Sequence, residues 1–174
     1  VRADAAGGQT HFTGLTHLAS QPVAVLANGG VVPGLSVAAD GSLDLPGTSV
    51  PATPYTLIVG LAYTMTVVTL RPSVQVNGQS AQGVRQRLVK VVVRLLETLG
   101  LKAGDPSNDI LEELIDRPAS APMDAPIPLF TGDTPGEIDG TFDRKGQAVF
   151  VSSDPLPATI PMAMLNIDVD TRDV

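Results

Sequence analysis

The sequence predicts a mainly β protein: an antiparallel β-sandwich or barrel-like domain with one short helix. Three observations predict it: a high density of turn residues, short apolar segments between them, and a valine-rich central run ill-suited to a helix. Glycine and proline number 17 and 15, which forbids long helices and implies many short segments joined by turns. Aromatic residues are only 3% and Trp is absent, so the core must be built from Val, Leu, Ile and Ala. With 174 residues the chain can bury one domain or two small ones. Residues 1–13 are expected to be a flexible lead-in and residues 14–174 a single β-rich domain.

The small, polar opening from Val1 to Gln9 carries no strand pattern. Thr10–Leu18 alternates poorly and is a weak first strand. Pro22–Ala27 is a good strand, and Asn28-Gly29-Gly30 after it is the strongest hairpin signal in the chain. Asn and Gly reach positive φ at little cost, as tight hairpin turns require. Val31–Val37 returns, Ala39–Ser42 turns again, Leu43–Leu45 is a short strand and Pro46–Pro54 a loop. Tyr55–Tyr63 and Met65–Leu70 are strands interrupted near Gly60, and Asn77–Ser80 is a further turn.

The central run, Gln82 to Gly104, is the longest apolar stretch and holds Arg85, Arg87, Lys90, Arg94 and Lys102. As a helix, Leu88, Val92, Leu95, Leu96 and Leu99 would form one stripe. As a strand, Val89, Val91, Val93 and Leu95 would share a face. Four valines over residues 89–93 favour the strand, because β-branched side chains lose χ1 freedom in a helix and pack well on a pleated surface. Gly100 and Gly104 would then bound a tight turn. Beyond Gly104, Ser107–Ile115 has a Ser or Asn cap and apolar spacing suited to a helix of about two turns. Arg117–Pro128 is a proline-rich surface connection, and Gly132–Asp143 is turn-rich and acidic. Ala148–Ser152 and Ile160–Val169 are the last strands.

Net charge is −7, and it is unevenly spread. Residues 1–104 carry +3 and residues 105–174 carry −10. An acidic chain is ill-suited to gripping nucleic-acid backbone, which needs clustered Lys and Arg. A solvated acidic face is the ordinary reading. The cations Arg85, Arg87, Lys90 and Arg94 are therefore expected to pair with the acidic half, within the chain or across a subunit boundary.

With no cysteine, a disulfide framework, thiolate chemistry and the usual zinc sites are excluded. No apolar run approaches the roughly 20 residues a membrane span needs, and no signal-like segment opens the chain. It begins at Val1 rather than Met, as expected of part of a longer polypeptide. His11 and His17 lie apart from any acidic neighbour in sequence and suit structural or surface roles. Serines follow no nucleophile-elbow pattern, and Glu112-Glu113 is no stronger than a chance acidic pair. No catalytic residue, cofactor or metal is assigned. Asp133, Glu137, Asp139 and Asp143 would suit Ca²⁺ chemically, but their spacing fails the EF-hand pattern, and turn aspartates usually bond their own backbone.

Four segments, in order, resemble the tail nozzle proteins of short-tailed bacteriophages, also called tail tubular protein B or tail hub proteins. The first is Gly14-Leu-Thr-His-Leu18 followed by Val23–Val31 with its Asn28-Gly29 turn. The second is Ile58-Val-Gly-Leu-Ala-Tyr63 leading to Thr69-Leu70, with Ala62 where the family usually has Pro. The third is Gln82–Arg94 with Thr98–Leu101, similar to the family's basic strand. The fourth is Thr131-Gly-Asp133, Phe142 and Asp154-Pro-Leu-Pro157. Family members are much longer, so the chain would correspond to a carboxyl-terminal region. The resemblance implies a non-enzymatic virion protein, made in the host cytoplasm, whose copies form a ring of six below the portal and adaptor. Tail adaptor and tail fibre or spike proteins would be its neighbours, and genomic DNA would pass through the channel without specific binding. In that setting Arg85, Arg87, Lys90 and Arg94 would lie at or near the interface. The alternative is a β-sandwich receptor- or carbohydrate-binding module of a virion, which the lack of aromatic platforms disfavours.

Overall fold

The computed structural model describes residues 1–73, 75–76, 79–80, 83–119, 121–122 and 125–170. It is mainly antiparallel β, with 46% of residues in strands and, among the described residues, no helix of seven or more residues. The strands are β1 (Arg2–Ala5), β2 (His11–Phe12), β3 (Pro22–Ala27), β4 (Gly30–Ser36), β5 (Leu43–Asp44), β6 (Tyr55–Leu61), β7 (Met65–Val68) and β8 (Gln75–Val76). They continue with β9 (Gln79–Ser80), β10 (Gln86–Thr98), β11 (Lys102–Gly104), β12 (Leu111–Glu113), β13 (Phe130–Glu137), β14 (Val149–Ser152) and β15 (Met162–Val169). Two 3₁₀ turns, Thr16–Leu18 and Gly47–Ser49, are the helical pieces among the described residues. The chain divides into two compact units.

The first unit comprises Val1–Thr64, Arg117–Pro128 and Ser153–Leu156. Its main sheet has the order β1-β6-β3-β4, and β2 pairs with β5 in a separate ladder. The β3–β4 hairpin closes where Asn28-Gly29 suggested, with φ of 50° and 85° at the two turn residues. Positive φ at both positions matches the right-handed twist of the flanking strands. Inward residues Val25, Leu57, Val59 and Val32 pack with Phe12, Val37, Leu43 and Tyr55 into one core. The Tyr55 ring meets Phe12 edge-on at 6.5 Å, and its hydroxyl donates to Gln9 O at 2.5 Å, so the polar tip of this buried ring is satisfied. Residues 2–5, expected within a flexible lead-in, form β1 instead and pair with Tyr55–Ile58. A short polar strand shows no alternation of its own; its partner fixes it.

The second unit comprises Met65–Asp116, Leu129–Ser152 and Pro157–Val174. One sheet has the order β13-β10-β15 and another β12-β11-β14-β7. β10 runs 13 residues and is the strand that the four valines favoured. It buries Gln86, Leu88, Val91, Val93 and Leu95 on one side. A register shift between Leu88 and Lys90 lets the inward series pass from even to odd positions. That bulge explains why neither face alternates cleanly in the sequence. A second irregularity, between Leu95 and Thr98, carries Glu97 at φ 45°.

Two segments differ from expectation. Ser107–Ile115 is not a helix: Leu111–Glu113 is strand β12, paired with β11. Asp105 Oδ1 accepts the Ser107 N–H at 2.8 Å and Asn108 Oδ1 accepts the Ile110 N–H at 3.2 Å. These side chains compete with helical hydrogen bonding and turn the chain. The first half of the turn-rich acidic stretch, Gly132–Glu137, lies in strand β13. Its Pro135 is tolerated because β13 is an edge strand, where a missing N–H breaks no ladder bond. The turn suggested at Asn77-Gly78 lies outside the described residues.

Candidate interface on the long strand

The outward side of β10 presents Arg87, Lys90, Val92, Arg94 and Leu96, and its two neighbours complete a set of cross-strand rows. Asp133, Arg94 and Met162 form one row, Pro135, Val92 and Met164 the next, then Glu137, Lys90 and Asn166. Arg87 stands beside Asp168 in the last. An apolar row is thus bracketed by charged ones on a solvent-facing sheet.

Of the four cations picked out in sequence, Arg87, Lys90 and Arg94 lie on this strand and Arg85 immediately precedes it; their environments differ. Arg94 grips Asp133 as a fork, Nε to Oδ1 at 2.7 Å and Nη2 to Oδ2 at 2.8 Å. Two parallel charge-assisted bonds fix both planes. The hydrogen bonds and charge of Arg94 hold the Asp133 carboxyl below the usual carboxylate range. Arg87 reaches Asp168 at 3.5 Å and also stacks on Phe142, with its guanidinium carbon 5.0 Å from the ring centre. Arg85 approaches the same ring at 6.0 Å. Lys90 lines a depression of about 400 Å³ with Val89, Glu112, Glu137, Ile138 and Asp139. Pairing with the acidic half is therefore intramolecular for Arg87 and Arg94.

The four carboxylates considered for an ion are dispersed. Asp133 belongs to Arg94. Asp143 closes a turn, accepting Lys145 N–H at 2.7 Å, Gly146 N–H at 3.0 Å and the Ser107 hydroxyl at 2.7 Å. Burial pushes its carboxyl up, but these bonds outweigh burial and hold it below the ordinary value. Glu137 and Asp139 face the Lys90 depression.

His11 does have an acidic partner: the β2–β5 register sets it opposite Asp44, with Nδ1 to Oδ1 at 2.6 Å. Local sequence hides this contact, because Asp44 arrives through the ladder. Sequence reasoning also passed over Phe142 and Arg144 as site residues. The antiparallel bridge between Gln86 and Asp143 brings both beside β10, and no spacing rule announces an isolated bridge.

What fold and surface define is a mainly antiparallel β protein with an ion-paired sheet face. No protein-family model matches the chain, and no curated protein matches it.

Proposed function

We propose that the chain is a structural subunit of a phage tail nozzle, one of several copies that form a ring around the ejected genome. The observation that carries this reading is the ordered resemblance of four segments, taken with where those segments fall. Val23–Val31 covers most of β3, the hairpin turn and the start of β4, Ile58–Tyr63 includes the end of β6, and Arg85–Arg94 covers most of the long strand. These pieces lie on strands and a hairpin turn, whereas Gly14–Leu18, Thr69-Leu70, Phe142 and Asp154–Pro157 lie in turns and connections. Subunits of such a ring meet head to tail through two different surfaces, and the Arg94–Asp133 end of the β10 face is a candidate for one of them. DNA passes the channel without sequence-specific contact.

The test is mass photometry with negative-stain imaging of the purified chain, alone and with a candidate tail adaptor. Rings with a central hole of duplex width are the expected result. A strict monomer under both conditions rejects the reading.

A further inference from the structure

We propose that the arginine-rich end of the β13-β10-β15 face, built from Arg85, Arg87 and Arg144 around Phe142, contacts the phosphates of duplex DNA. Register assembles the patch. Gln86 and Asp143 exchange both backbone bonds, Gln86 N–H to Asp143 O at 2.7 Å and Asp143 N–H to Gln86 O at 3.0 Å. Gln86 points inward and is buried, so the residues flanking the bridge share the outward side. Arg85 and Arg87 both approach the Phe142 ring, and Arg144 follows Asp143 in the bend beyond the bridge. Arg85, Arg144 and Phe142 are exposed, and Arg87 is half-buried.

Among the described residues, the carboxylates beside Arg85 and Arg87 are Asp168, at 3.5 Å from Arg87, and Asp170, whose backbone N–H bonds Arg85 O at 2.8 Å. Lys145 follows Arg144, while the nearby Asp143 carboxylate is engaged by Ser107, Lys145 and Gly146. Arg85 and Arg144 flank the two sides of the Gln86–Asp143 bridge, where an anion has more than one cation to meet. Guanidinium forks match phosphate oxygens in pairs. Arg85 and Arg87 are two residues apart along an extended chain, about 6.6 Å, close to the separation of successive phosphates in a nucleic-acid strand. The choice of DNA among polyanions rests on the nozzle reading; the patch does not. So few contacts give a weak, salt-sensitive grip that guides DNA without holding it.

The experiment is fluorescence anisotropy of a short dye-labelled duplex titrated with the chain at low and physiological salt. Ring formation is scored in parallel by mass photometry. Affinity should fall with salt on a logarithmic slope of about −2 to −3. Arg85→Glu or Arg144→Glu alone should flatten that slope by about 1, and the double reversal should abolish binding. Arg2→Glu, on the first unit, should change nothing. Circular dichroism checks folding, and Arg85→Gln with Arg144→Gln replaces the reversal pair if that pair unfolds. No duplex binding by the folded chain at low salt overturns the proposal, as does binding that the substitutions leave intact. Preference for polyglutamate over duplex, lost on the same substitutions, also overturns it and makes the patch a protein contact. Rings without DNA binding reject the patch and keep the nozzle. DNA binding lost on substitution, in a chain that never forms rings, keeps the patch and rejects the nozzle.

Discussion

Asp105 ties together two segments of the second unit with one carboxylate. It is 3% exposed; Oδ1 accepts Ser107 N–H at 2.8 Å, and Oδ2 accepts the Thr141 N–H at 2.9 Å and hydroxyl at 3.3 Å. Asp105→Ala leaves those donors to compete for water in a partly closed space and should cost about 1–3 kcal/mol in urea unfolding. Asp133 offers a test by pH. The Arg94 fork depresses its carboxyl in the folded state, so its contribution is present above the unfolded-state pKa and is lost as pH falls through the folded value. Asp40, held down by the Ser42 hydroxyl and N–H, and Asp143 carry the same sign. Unfolding midpoints should therefore drop below about pH 4. In carboxyl NMR titration, Asp133 should titrate below a free Asp and return to the ordinary range in Arg94→Gln. An unmoved midpoint in that variant would remove Arg94 as the cause.

Among the elements, β10 makes the sharpest forecast, because its two sides have opposite environments. Leu95 is 1% exposed and Leu96 is 48% exposed. Leu95→Ala should lose about 2–5 kcal/mol, whereas Leu96→Ala should stay within about 0.5 kcal/mol; equal losses would contradict the register. On the neighbouring strand, a Cβ at Gly136 would stand 2.5 Å from Leu114 Cδ2 and 3.4 Å from Val91 Cγ1. Gly136→Ala should accordingly cost about 1–3 kcal/mol by overpacking. β3, β10, β14 and β15 were legible in the sequence because alternation or β-branching is a local property. β12 was not, since Ser107, Asn108 and the spacing of Ile110, Leu111, Leu114 and Ile115 imitate a capped helix. Only pairing with β11, itself bonded to β14, settles the matter. β13 was obscured by its glycines and proline, which an edge strand can carry.

For the whole molecule, the charge asymmetry along the sequence does not sort into the two units. Arg87 and Arg94 from the basic half sit in the same unit as Asp168 and Asp133 from the acidic half. The first unit keeps its entire core cluster between Ala5 and Val59. A fragment of residues 1–64 should therefore fold alone, with dispersed amide NMR signals and cooperative melting; a featureless spectrum would show that the later segments of that unit are required. The candidate interface was less readable than the fold. The sequence could name its cations, but their partners arrive from far along the chain. That same distance has a consequence for biogenesis. β10 leaves the ribosome before either flanking strand has been made, and β15 is the later of the two to appear. Until then a valine-rich strand waits with bare edges, the kind of segment that self-associates. Closure over so long a loop is slow, so the nascent chain has to be shielded, or to finish quickly, for Met162–Val169 to act as the latch.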